Sequence, residues 1–224
     1  MAEGPTRIGF TEELEQLRLQ VELMAIRVDQ NLERMREILA TGDGSLVPIA
    51  LASDDEVDAM NVSLTERCYA VLRREAPVAT DLRFIVSVLR VLSELERVGD
   101  LALRVIKQAP DHDLLAANRS TFDILQAMAE HAVDRYRDAL RAWATMDLNL
   151  ATELATSTRS MELYYERLMQ EVMRIEGPNA VPIAVATFFA GRSVERISDH
   201  ASIIGARLRY LITGDPDHLN AEVR

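Results

Sequence analysis

The chain has 224 residues, 48% of them hydrophobic and 27% charged, with a formal net charge of −11. That is enough apolar material for one or two packed cores, and a field of that sign repels nucleic acid and anionic lipid unless a local basic patch forms. No uncharged apolar run reaches the roughly eighteen residues of a membrane span, and the lone cysteine, Cys68, makes neither an internal disulfide nor a thiolate metal site. The start, Met1-Ala2-Glu3-Gly4-Pro5, has neither the basic opening nor the apolar stretch of a signal peptide, so a cytoplasmic location is expected.

Apolar residues recur at helical spacing along nearly the whole chain, and glycine (9) and proline (7) are scarce, so an all-α fold is expected. A first helix should run from about Thr11, an N-cap before Glu12 and Glu13, to about Ala40, where Thr41-Gly42-Asp43-Gly44 breaks it. The second starts near Leu46, tolerates Pro48 in its first turn and stops before Pro77. The third covers about Val78 to Gln108 and ends at Ala109-Pro110-Asp111. A fourth runs from about Ser120 to Thr145 and a fifth from Leu148 to Ile175. After Gly177-Pro178 a sixth continues to about Ile212. Helices of about 30 residues are ~45 Å long and, joined by short loops, pack antiparallel as bundles.

The two halves repeat one another. Ala40-Thr41-Gly42-Asp43 corresponds to Ala144-Thr145-Met146-Asp147, and at the same shift Val57, Asn61, Leu64, Cys68 and Val71 fall on Met161, Tyr165, Leu168, Val172 and Ile175. A period of about a hundred residues is too long for a solenoid and fits two tandem, homologous three-helix bundles. We place them at residues 1–110 and 118–214, with 215–224 as a polar tail.

Glu96-Arg97-Val98-Gly99-Asp100 in the third helix and Glu195-Arg196-Ile197-Ser198-Asp199 in the sixth each hold two carboxylates at i and i+4, on one face and a turn apart. On a helical wheel Ile85, Leu89, Leu92, Leu95, Gly99 and Ile106 form an apolar stripe, with Glu96 inside it and Asp100 at its edge. Like charges so placed repel, and facing a core they also lose hydration. They are therefore protonated, or face a wet seam, or meet something positive. Asp54 and Asp58 of the second helix share a face with Val57 and Asn61, and antiparallel packing would set them opposite Glu96 and Asp100. Such an all-oxygen, anionic site suits a hard cation: magnesium, manganese or iron. The second half offers Glu162, Glu195 and Asp199, with Thr158 where the first has Asp54, so weaker binding is expected there. The same residues also fit a carboxylate–metal enzyme, an oxidase or a phosphohydrolase, or a helical scaffold without functional metal.

The paired signatures, together with Pro77-Val78-Ala79-Thr80-Asp81-Leu82-Arg83 and the ending Tyr210-Leu211-Ile212-Thr213-Gly214, resemble those of the PhoU family from about residue 10 to 214. The resemblance implies two three-helix bundles with metal ions held by Asp54, Asp58, Glu96, Asp100, Glu195 and Asp199, and by Glu162. It implies a negative regulator of phosphate uptake and of phosphate-starvation signalling, not an enzyme. It also implies as partners a phosphate ABC transporter ATPase and a sensor histidine kinase, with membrane association only through them, and leaves a homodimer open. The chain departs from the family at Thr158, at Ser198 where glycine is usual, and at Ala180-Val181-Pro182.

Arg83, Arg97 and Arg196 are candidates for holding phosphate or a partner's acidic group, because guanidinium suits bidentate oxyanion contact. Arg97 with Asp100 and Arg196 with Asp199 are equally spaced for local ion pairs. Trp143 and Phe122 should be core residues, Phe188-Phe189 should simply fill helical positions, and His200 should be exposed or at a helix boundary. No phosphate-cradling glycine loop, nucleophile elbow or helical Glu-x-x-His is present.

Overall fold

The computed structural model describes residues 7–223; Met1-Ala2-Glu3-Gly4-Pro5 lies outside them. Those residues form α1 (Arg7–Thr41), α2 (Val47–Glu75), α3 (Ala79–Ile106), a short α4 (His112–Ala116), α5 (Arg119–Thr145), α6 (Leu148–Thr156), α7 (Arg159–Val172) and α8 (Ala180–Thr213), with no strand among them. The caps are local chemistry. Asn118 accepts the Thr121 amide at 3.1 Å to open α5, and Asp147 accepts the Asn149 and Leu150 amides at 2.8 and 3.1 Å to open α6.

The expected fifth helix is two helices. No glycine or proline separates α6 from α7; the break at Ser157 and Thr158 is held by a side chain from another element. Arg135 of α5, 7% exposed, donates to the carbonyl oxygens of Ser157 (2.7 Å) and Leu154 (2.8 Å) and to Ser202 Oγ of α8 (2.8 Å). The guanidinium takes up carbonyl groups that the helix end leaves open.

Helices α1, α2 and α3 pack on one another, as do α5, α6, α7 and α8, and the two groups meet where α3 lies on α8 and α1 on α5. The apolar cores of the halves run together: Leu17, Met24 and Leu32 of α1, Ile85 and Leu92 of α3, Leu125 and Met128 of α5 and Leu208 of α8 belong to one cluster. Burying these side chains is the main stabilising term, about 1.5–3 kcal/mol for each large aliphatic. Tyr136 of α5 donates its hydroxyl to the Ala25 carbonyl of α1 at 2.8 Å, and Arg137 donates to Asp29 at 2.8 Å. Trp143 and Phe122 are core residues as expected, Trp143 stacking on Phe84 with ring centroids 6.4 Å apart.

Helices α3 and α8 run antiparallel. Arg83 near the start of α3 sits against Gly214 at the end of α8, while Glu94 in mid-α3 meets His200 in mid-α8. His200 corrects the sequence expectation: it is 4% exposed, and its Nδ1 lies 2.5 Å from Oε2 of Glu94, itself 1% exposed. Arg90 adds an ion pair to the same carboxylate at 3.0 Å. A buried carboxylate needs such partners.

Close packing of α6 on α8 depends on Gly205. A Cβ there would lie 2.8 Å from Leu154 Cβ and 2.9 Å from the Ala151 carbonyl oxygen, and the latter is backbone that cannot swing aside. Gly205→Ala is expected to cost about 1–3 kcal/mol in a urea titration. An unchanged midpoint would show that α6 yields freely.

Candidate metal centre

Asp54 and Asp58 on α2 do face Glu96 and Asp100 on α3. The helices approach closely because residue 99 has no side chain: a Cβ on Gly99 would stand 3.2 Å from Asp54 Oδ1. Asp54 and Glu96 are half-buried, Asp58 and Asp100 exposed. Burial, then the charges of Asp58 and Asp100, push the Asp54 carboxyl up to about 6. Asp58 is raised by burial and by Asp100 and Asp55, and Glu96 by burial and by Asp100 and Asp58. The shared causes join the four carboxyls into one electrostatic group. None makes an ion pair or hydrogen bond among the described residues, although Lys107 and Arg97 act on the group from a distance.

As placed, no group of three or more His, Cys, Asp or Glu among the described residues closes around a single point. The seam is an open row of unpaired carboxylates. Its donors are all oxygen, and a divalent cation would compete there with the protons that Asp54, Asp58 and Glu96 hold more tightly than ordinary carboxyls.

The second seam is built differently. Glu195 on α8 is held in an ion pair by Arg192, one turn earlier; its carboxyl is raised by burial, which Arg192 opposes. Asp199 is also raised by burial, against the pull of Arg196, Arg192, His200 and Arg135. Glu162 on α7 is exposed and turns to its own helix, accepting from Thr158 Oγ1 at 2.9 Å and pairing with Arg159 at 3.6 Å. The charge neighbours of Glu195 are Arg192, Asp199 and Arg196. Tyr165 stands beside it, its hydroxyl raised by burial and by that charge. The second seam thus carries its own cation, at a position equivalent to Ser93 of the first half.

The arginines divide into two places. Arg97 and Arg196 line a cleft between α3 and α8 together with Arg104 and Arg192. Arg83 is at the other end of α3, donating to Thr80 Oγ1 at 3.3 Å. Arg104, which the sequence reading did not single out, follows Arg97 by two turns on one face, so helical periodicity counted from Arg97 marks it. Glu94 and Arg135 carry no comparable sequence signal.

Two helical halves, each presenting an acidic seam, define a duplicated all-helical protein of one recognisable kind. The PhoU domain model matches residues 21–109 and 125–208, and the chain belongs to the PhoU family. It is 28% identical over 216 residues to the phosphate-specific transport system accessory protein PhoU of Serratia marcescens, covering 95% of this chain and 88% of that protein. The protein of the same description from Escherichia coli K12 is 27% identical over 207 residues, covering 92% and 86%. The crystal structure of PhoU from Pseudomonas aeruginosa superposes with a TM-score of 0.85 at 28% identity, covering 92% of this chain and 100% of that one.

Proposed function

We propose that this chain is a non-enzymatic negative regulator of phosphate uptake and starvation signalling, a metal-binding adaptor between a phosphate ABC transporter and a sensor histidine kinase. The relatives named as accessory proteins of the phosphate-specific transport system support a regulatory role in phosphate transport. No helix among the described residues is long and apolar enough to cross a membrane, which fits peripheral attachment through a transporter subunit on the cytoplasmic side.

The observation that carries the metal reading is the unpaired row Asp54, Asp58, Glu96 and Asp100. A bound iron, manganese or magnesium ion would supply the positive charge that offsets the mutual repulsion of these carboxylates. The protein's part is to hold α2 and α3 close at Gly99 and so fix the spacing of the oxygens. Glu195 and Asp199, already served by Arg192, make a weaker second centre, and Glu162 would have to leave Thr158 to join it.

Deleting the gene should raise phosphate uptake and starvation-gene expression in phosphate-replete cells, and affinity capture from such cells should recover the transporter ATPase or the kinase. Unchanged uptake and expression in the deletion strain would count decisively against the reading.

A further inference from the structure

The cleft between α3 and α8 has a volume of about 620 Å³, within the range of small-molecule sites, and four of its lining residues are Arg97, Arg104, Arg192 and Arg196. This concentration is out of keeping with the rest of the chain, in which 36 Asp and Glu outnumber 25 Lys and Arg. Acidic partners are plentiful, and Arg192 has one in Glu195. Arg97, Arg104 and Arg196 make no ion pair with any carboxylate among the described residues. Asp100 is the single carboxylate lining the cleft. Guanidinium groups without an ion pair, lining one concave surface, offer paired donors to oxyanions.

Spacing narrows the ligand. Arg97 and Arg104 lie seven residues apart on α3, roughly 10 Å along the axis, and Arg192 and Arg196 lie one turn apart on the antiparallel α8, roughly 6 Å. One orthophosphate ion cannot reach both ends of that array; a chain of linked phosphates can. We propose that the α3/α8 cleft binds a small molecule carrying two or more linked phosphate groups. The chemistry is shared by nucleotides and inorganic polyphosphate. Phe188 and Phe189 line the same cleft, 43% and 59% exposed, with rings 5.9 Å apart at 69°, and present apolar faces on which a nucleobase stacks.

Calorimetric titration of the full chain with sodium tripolyphosphate, ATP and orthophosphate, all with chelator present, separates this site from the metal seam and from any transporter partner. Tripolyphosphate should bind saturably and about tenfold or more tighter than orthophosphate, since each further charge-assisted contact adds to affinity. Arg97→Ala combined with Arg196→Ala should weaken it by about tenfold or more while leaving the helical circular dichroism spectrum unchanged, because neither side chain makes an ion pair among the described residues. Tighter binding of ATP, lost in Phe188→Ala with Phe189→Ala, would identify the ligand as a nucleotide; equal binding of ATP and tripolyphosphate would identify the phosphate chain alone. The absence of saturable binding by both, or affinities unchanged in the arginine variant, overturns the proposal.

Discussion

Manganese added to metal-free protein at pH 7 is expected to raise its melting temperature by about 5–10 °C. The figure follows from linkage: a ligand at a hundred times its dissociation constant stabilises the native state by about 2.7 kcal/mol, and a domain of this size gains about 2–4 °C per kcal/mol. The same site makes the metal-free protein pH-sensitive in an unusual direction. Asp54 has a folded-state pKa of about 6, above the ordinary carboxylate value, so between about pH 4 and 6 the native state binds more protons than the unfolded chain. Its contribution is fully present below that window and lost as pH rises through 6. Because Asp54 is partly exposed, the loss is on the order of 1 kcal/mol after solvent screening. Metal binding has the opposite slope, since the cation competes with those protons. Added manganese should therefore stabilise more at pH 7 than at pH 5. Asp54→Asn, Asp58→Asn, Glu96→Gln and Asp100→Asn combined should abolish both slopes and leave the metal-free protein more stable than the parent at pH 7. A melting temperature that ignores manganese and chelator alike would show that the native state binds no metal.

Arg135→Met is the second large effect, an expected loss of about 2–4 kcal/mol in chemical denaturation. The guanidinium satisfies the Leu154 and Ser157 carbonyls and Ser202 Oγ from a buried position, and burial already lowers its pKa against the raising influence of Asp138 and Asp199. Methionine preserves much of the volume but leaves those acceptors without a donor, at about 1–3 kcal/mol for each unsatisfied group, relieved where water can enter. Proteolysis should then cut between α6 and α7 faster than in the parent. A loss below about 1 kcal/mol would mean that the break is intrinsic to residues 157 and 158.

The helices and their duplication were legible because each helix buries one apolar face, and that face repeats at a period the sequence displays. The first seam was legible for the same reason: Glu96 falls inside the stripe of Ile85, Leu92 and Leu95, so a wheel of one helix reveals the conflict. What escaped depends on contacts between helices distant in sequence. The α6–α7 break has no glycine or proline, and its cause lies on α5. His200 is covered by α3, and a wheel of its own helix cannot show which element of the other half will lie over it. Glu94 is hidden in the same junction. At the second seam, the equivalence of Ser93 with Arg192 was readable, but its meaning required seeing Arg192 paired with Glu195.

The most direct measurement is anomalous diffraction from a manganese-soaked crystal. Metal binding at the α2/α3 seam predicts a strong peak between these helices, within bonding reach of Asp54, Asp58, Glu96 and Asp100, and a weaker one or none beside Glu195 and Asp199. Manganese bound elsewhere with nothing at the Gly99 seam, or a dominant peak at the seam that Arg192 occupies, would contradict it.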